Sequence, residues 1–274
     1  GKTPATVPAR VRFWDDVVYE GQASFEIVTN NATFYYHKQG GGFAAMIDPQ
    51  GLDWIGHHPT DGSAGEYRGI PNLATTDASG QNLGIFHPGY RLSSSTMRHA
   101  GPLKLSIERQ TLDGFWAKRW EIYPDYARMT LTKKPANKKY WWLYEGTPGG
   151  SISSGDYYVL ADGATEEIHT VIQTDLPGEE WMYFGDSLAD QVLYVVNHTQ
   201  DSAVDCHYVM EENMTVFGFG RSNENHNPKY LDALPGAFTI GFADAAGHQA
   251  VVQRIRSAYK PVGVLLGHGA GLAP

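Results

Sequence analysis

The sequence predicts an all-β protein, an antiparallel β-sandwich or jelly roll with one short C-terminal helix, and three observations lead there. Apolar and polar residues alternate with a period of two in short runs. Clusters of Gly, Pro, Asn and Asp, the residues that turn a chain, separate those runs. More than ten runs recur at roughly ten-residue spacing, which suits a sandwich or barrel and not alternating strands and helices.

The elements follow in order. Strands are predicted over 25–29, 33–37 and 43–48. Gly40-Gly41-Gly42 lies between the last two and reads as a hairpin turn. A strand follows it, so it lacks the helix N-terminus that a phosphate loop needs. Asp48-Pro49-Gln50-Gly51 is a tight turn, with Pro fixing φ at its second position and Gly at its fourth. The run 103–108 sets Leu103, Leu105 and Ile107 on one face against Lys104, Ser106 and Glu108 on the other. Asp113-Gly114 marks a hairpin before a strand at 115–123. Further strands are expected over 126–131, 141–145, 181–184, 192–197, 204–210, 214–218 and 238–242. The one helix spans 245–259, with Ala246, Val251, Val252, Ile255 and Ala258 near one face, Arg254 and Arg256 turned away, and Pro261 as its stop.

No linker-like tract or fixed-period repeat interrupts the chain, so residues 1–274 are read as one domain. A core of that size holds without disulfides, and the lone Cys206 can form no bridge within the chain. The net charge of −9 opposes binding to nucleic acid or an anionic membrane, and neither partner is expected. No apolar run approaches the ~18 residues that would span a bilayer. The start at Gly1-Lys2-Thr3-Pro4 reads as a processed or engineered one, and a secreted or periplasmic protein is expected. A monomer without cofactor or metal is expected. His57-His58 with His87 and Glu66 offer metal-ligand types, but adjacent histidines on a strand point to opposite faces.

Two long turn-rich stretches, 56–83 and 221–235, point to a site, because structureless loops of that length are uncommon unless functional. The first holds the run from Gly65 to Asn72, in which glycines flank Tyr67-Arg68 and let a ligand approach the backbone. Arg68 there presents a planar fork suited to a carboxylate or sulfate, or else braces the loop through a neighbouring Glu. His87 follows where a strand breaks into a turn. His207 and Tyr208 adjoin on one strand, so only one of them should face any given cleft. Trp141 and Leu143 alternate with Trp142 and Tyr144, so one aromatic pair either lines a groove or fills a core. Glu145, at that strand's end, is the best-placed single carboxylate for acid–base work.

These Arg, His and Tyr residues in long loops on a β scaffold resemble secreted bacterial β-sandwich or jelly-roll polysaccharide lyases. The resemblance covers most of the chain but rests on architecture and residue types; segments 65–72 and 214–221 carry it best. The strand motifs Arg-x-Glu-x-Arg and Gln-x-His of alginate lyases are absent, which leaves the substrate open. The resemblance implies β-elimination beside a uronate in an anionic polysaccharide. Arg68 would neutralise the carboxylate, His87 would take the C5 proton, and Tyr208 would protonate the leaving oxygen. Arg221 would be a second anion contact, with His207, Tyr144, Glu145 and Asn72 completing the substrate site. The alternatives are a glycoside hydrolase pairing Glu145 with Glu66 or Glu211, and a non-catalytic carbohydrate-binding domain.

Overall fold

The computed structural model describes residues 10–56, 69–75, 87–89, 92–210, 214–222 and 229–259. Its strands are β1 (Arg12–Tyr19), β2 (Gln22–Val28), β3 (Thr33–His37), β4 (Gly42–Ile47), β5 (Asn72–Thr75) and β6 (Ser93–Gly101). Then come β7 (Lys104–Thr111), β8 (Ala117–Ile122), β9 (Tyr126–Lys133), β10 (Tyr140–Gly146), β11 (Asp156–Leu160) and β12 (Thr165–Glu167). The last are β13 (Ile172–Thr174), β14 (Trp181–Asp186), β15 (Gln191–Asn197), β16 (Asp205–Met210), β17 (Met214–Phe219) and β18 (Gly236–Asp244), followed by the helix α1 (His248–Tyr259). The all-β antiparallel expectation holds: every pairing among these strands is antiparallel.

Three sheets form the scaffold. One has four strands in the order β1-β2-β3-β4, one has five in the order β13-β16-β17-β10-β5, and one has nine in the order β12-β11-β14-β15-β18-β9-β8-β7-β6. The four- and five-stranded sheets both pack on the inner face of the nine-stranded sheet. Aromatic rings span that core: Phe43 lies 4.7 Å from Trp120, Trp142 stacks 5.5 Å from Phe238, and Tyr144 lies 5.2 Å from Phe184. On the opposite face of the nine-stranded sheet, α1 buries Val251, Val252, Ile255 and Ala258 against Trp181, Tyr183 and Tyr194.

The turns form where their residues require. Gly41, at φ 75°, reverses the chain between β3 and β4. In the second turn the amide of Gly51 donates to the carbonyl of Asp48 at 3.0 Å, and the Asp48 carboxylate accepts from Gln50, Leu52 and the Trp54 indole. Gly114 closes the β7–β8 hairpin, its amide donating to the Thr111 carbonyl at 2.9 Å.

Three expectations change. Leu103 belongs to the preceding turn and is 60% exposed, so β7 starts one residue later. Helix α1 starts at His248 because Gly247, at φ 98°, is outside helical geometry; Ala246 is therefore not helical. The stretch read as one long loop at 56–83 contains β5, whose four buried residues pair with β10. Residues 260–274, including Pro261, lie outside the described residues.

Candidate functional site

Strand β10 is the hinge of the site because its two faces meet different surroundings. Tyr140, Trp142 and Tyr144 point into the main core, while Trp141 and Leu143 join a smaller cluster with Ala74, Met214 and Val216 on the outer face of the five-stranded sheet. Cross-strand pairing puts Tyr208 opposite Val216, and Val216 opposite Glu145. Paired residues share a face, so Tyr208 and Glu145 stand in one row, two strand spacings or about 10 Å apart along the sheet.

Arg221 enters this face directly after β17. Its side chain lies along the bare backbone of Gly218: a Cβ added there would sit 3.0 Å from the Arg221 Cβ and 3.1 Å from its Cδ. From that floor the Arg221 guanidinium donates to the Tyr208 hydroxyl at 2.8 Å and lies 4.6 Å from the centre of the Trp141 ring. Lys229 pairs with Arg221 through an antiparallel bridge, and its Nζ lies 4.8 Å from the same ring. Two cations therefore lie within cation–π range of one indole ring. Arg221, Lys229, Trp141 and Glu145 are all buried, and Tyr208 is half-buried.

Burial raises the Tyr208 phenol above its ordinary range, outweighing the charge and hydrogen bond of Arg221, which lower it; Glu145 adds to the rise. Tyr208 is thus a neutral phenol at physiological pH, with its oxygen held by a cation. That form can give a proton but is a poor base.

A second polar group lies at the β5 edge. The Asn72 side-chain oxygen accepts from the Leu73 amide at 2.7 Å and, over a long 3.5 Å, from Lys118 Nζ. The His87 Nδ1 sits 3.0 Å from the Leu73 carbonyl, so Nδ1 carries a proton there. Lys118 pairs with Arg109 across β7 and β8, and both are buried. Burial, then the neighbouring Arg109 charge, holds Lys118 well below its usual value, and burial lowers Arg109 to about 10.

The sequence-predicted residues therefore divide. Tyr208 and Arg221 touch, and Glu145 shares their face. Asn72 and His87 gather at the β5 edge, three strand spacings or about 14 Å from the Tyr208 strand. His207 faces the other way, as its position next to Tyr208 required. It is fully buried against Tyr158 and Phe184, bonds the Thr170 carbonyl and Thr215 hydroxyl, and burial lowers it to about 4. Tyr144 is likewise a core residue, donating to the Trp54 carbonyl at 2.7 Å. Neither lies on the face that carries Arg221. Arg68, Glu66, Glu211, His57 and His58 lie outside the described residues. Sequence reasoning missed Trp141 as a platform for cations; Lys229 lay within the 221–235 stretch that pointed to a site, but its place beside Arg221 follows only from their bridge.

No protein-family model and no curated protein sequence matches the chain. Among solved structures, that of HI1317 superposes with a TM-score of 0.55 and 11% identity over 85% of this chain and 100% of its own. The ligand-free α-N-acetylgalactosaminidase NagBb from Bifidobacterium bifidum gives a TM-score of 0.54 and 10% identity over 84% of this chain. The match spans 38% of NagBb, so this chain corresponds to about two fifths of that enzyme. At these identities the likeness is one of fold. Neither protein is named as a polysaccharide lyase.

Proposed function

We propose that the chain acts on a uronate-containing polysaccharide at the outer face of the five-stranded sheet, cleaving it by β-elimination. One observation carries this reading: Arg221 is bonded to the Tyr208 hydroxyl and stacked with Lys229 on Trp141. Arg221 and Lys229 supply positive charge for a uronate carboxylate, which lowers the barrier to removing the neighbouring C5 proton. The chain's net charge of −9 does not oppose this, because distant carboxylates are screened beyond a Debye length of ~8 Å.

In the elimination a base removes the C5 proton, the freed pair forms the C4–C5 double bond, and the C4–O bond breaks. Tyr208, held as the phenol, gives its proton to the departing oxygen. We assign the base to Glu145 in place of His87, because Glu145 shares a row with Tyr208 and His87 sits about 14 Å away beyond β5. Asn72 and His87 are then outlying substrate contacts. The fold shared with part of a glycosidase supports a carbohydrate ligand in general. We extend the reading to a secreted or periplasmic setting, where such polymers occur.

Incubation with a panel of uronate polymers, followed by ultraviolet absorbance of the conjugated product, tests the proposal. A rise on at least one polymer is expected. New reducing ends without absorbance would make the protein a hydrolase, and binding without cleavage would make it a recognition module; either outcome overturns elimination.

A further inference from the structure

A separate cluster lies where the five- and nine-stranded sheets meet. Pro177-Gly178, with Gly178 at φ 88°, turns the chain between the end of β13 and the start of β14, bringing Asp175 and Glu180 together. Asp205 opens β16 directly opposite Thr174 of β13, which places its carboxylate beside the same turn. One carboxylate oxygen from each of Asp175, Glu180 and Asp205 lies within 4.8 Å of the other two. Asp205 is only 1% exposed and Glu180 only 2%.

Acidic side chains gather on protein surfaces without binding anything, but two features set this group apart. Among the described residues the buried Glu180 Oε2 atom has no hydrogen-bond partner; the carboxylate is otherwise held by Gln200, which donates to Oε1 over a long 3.4 Å, and by the Asp201 backbone. A buried carboxylate oxygen left unpaired is costly, and a cation removes that cost. The charges acting on Glu180 and Asp205 also come from acids alone, Asp175 and Asp201 among them.

We propose that Asp175, Glu180 and Asp205 bind a divalent cation of the calcium type. All three donors are oxygens, the choice of Ca²⁺ and Mg²⁺ and not of thiolate- or imidazole-seeking metals. Oxygens within 4.8 Å of one another can share one such ion, since ligands on opposite sides of a Ca²⁺ stand about 4.6–5.2 Å apart; Ca²⁺ also tolerates irregular geometry better than Mg²⁺. Asp205 is already fixed by amide hydrogen bonds from Gly220 at 2.8 Å and Leu176 at 3.3 Å. A cation here therefore ties the β13–β14 turn to the backbone next to Arg221. The inference stands apart from the polysaccharide reading and is tested without any activity.

The test is thermal unfolding of the chelator-treated protein with Ca²⁺, Mg²⁺ or sodium chloride of matched ionic strength. Millimolar Ca²⁺ is expected to raise Tm by roughly 5 °C or more, with Mg²⁺ less effective. Asp205→Asn endangers folding, because Asp205 also holds Gly220 and Leu176. The informative variants are Asp175→Asn at an exposed position and Glu180→Gln, which keeps the side chain's size. Both should fold and lose the Ca²⁺ shift. An equal shift with sodium chloride, no shift in the unaltered protein, or an undiminished shift in both variants would overturn the proposal.

Discussion

The two faces of β10 use the same residue types for opposite purposes. On the inner face Tyr140, Trp142 and Tyr144 are sealed into an aromatic core, and the hydroxyls of Tyr140 and Tyr144 are spent on the Ala233 and Trp54 carbonyls. On the outer face Trp141 carries two cations, and the hydroxyl of Tyr208 is bonded to one of them. Burial alone does not separate the faces, since Trp141 and Trp142 are both fully buried. The partner of each polar atom does. A hydroxyl given to a backbone carbonyl is used up within the fold, whereas the Tyr208 hydroxyl is bonded to a buried guanidinium, the contact on which the proposed chemistry rests. The difference is one of bonding, and substitution on each face should reveal it.

The largest effect is expected from Tyr208→Phe. Loss of a positioned proton donor should lower turnover by about 10²–10⁴-fold while Tm hardly moves. On the proposed role of Tyr208 as a phenol that burial raises, activity should persist through neutral pH. It should fall only as pH climbs past the ordinary tyrosine range of about 10. A pH–rate profile that loses activity near pH 7 on its alkaline side would remove Tyr208 from the role. Next comes Trp142→Ala on the inner face, which should cost about 3–5 kcal/mol in denaturant unfolding, because it empties the space against Phe219 and Phe238. Its turnover per folded molecule should be unchanged, and a selective loss of turnover would erase the distinction between the faces. Gly218→Ala comes third. Its new Cβ would meet Arg221 at 3.0 Å and the Trp142 carbonyl at 3.2 Å, displacing the guanidinium by a few tenths of an ångström. A drop in kcat/KM of about ten-fold is expected, in keeping with the sensitivity of positioned groups to such shifts.

How much of this was legible in the sequence depended on burial pattern. β8 alternates cleanly and β7 and β9 do so over part of their length, because one face meets the core, and all three were read from the pattern, though the 115–123 run overran β8 at both ends. β5 was not: Asn72, Leu73, Ala74 and Thr75 are all buried, so no alternation shows, and pairing with β10 alone makes them a strand. β12 fails in the opposite way, with Thr165, Glu166 and Glu167 all exposed and held only by pairing with β11. At the site, the adjacency of His207 and Tyr208 fixed that they point apart but not which one faces the core. Arg221 was visible as the cation that ends a strand. Its contact with Tyr208 depends on the side-chain-free surface of Gly218, and the role of Lys229 depends on a bridge between loop residues. The meeting of Glu180 with Asp205 brings the turn before β14 against the start of β16, which no local pattern encodes.

The smallest expected effect completes the contrast between the two tyrosines. Tyr144→Phe removes only the hydroxyl that donates to the Trp54 carbonyl at 2.7 Å. That carbonyl also accepts from the Thr147 amide at 3.3 Å, so it is not left unpaired when the hydroxyl goes. The remaining ring still packs against Phe184. Loss of one neutral hydrogen bond, with its acceptor still bonded elsewhere, should cost about 1 kcal/mol in the midpoint of urea unfolding and leave turnover intact. The same one-atom deletion at Tyr208 is expected to do the reverse, sparing stability and removing activity. If Tyr144→Phe lowered turnover as severely as Tyr208→Phe, the inner face would belong to the site, and the assignment of chemistry to the Arg221 side of β10 would fail.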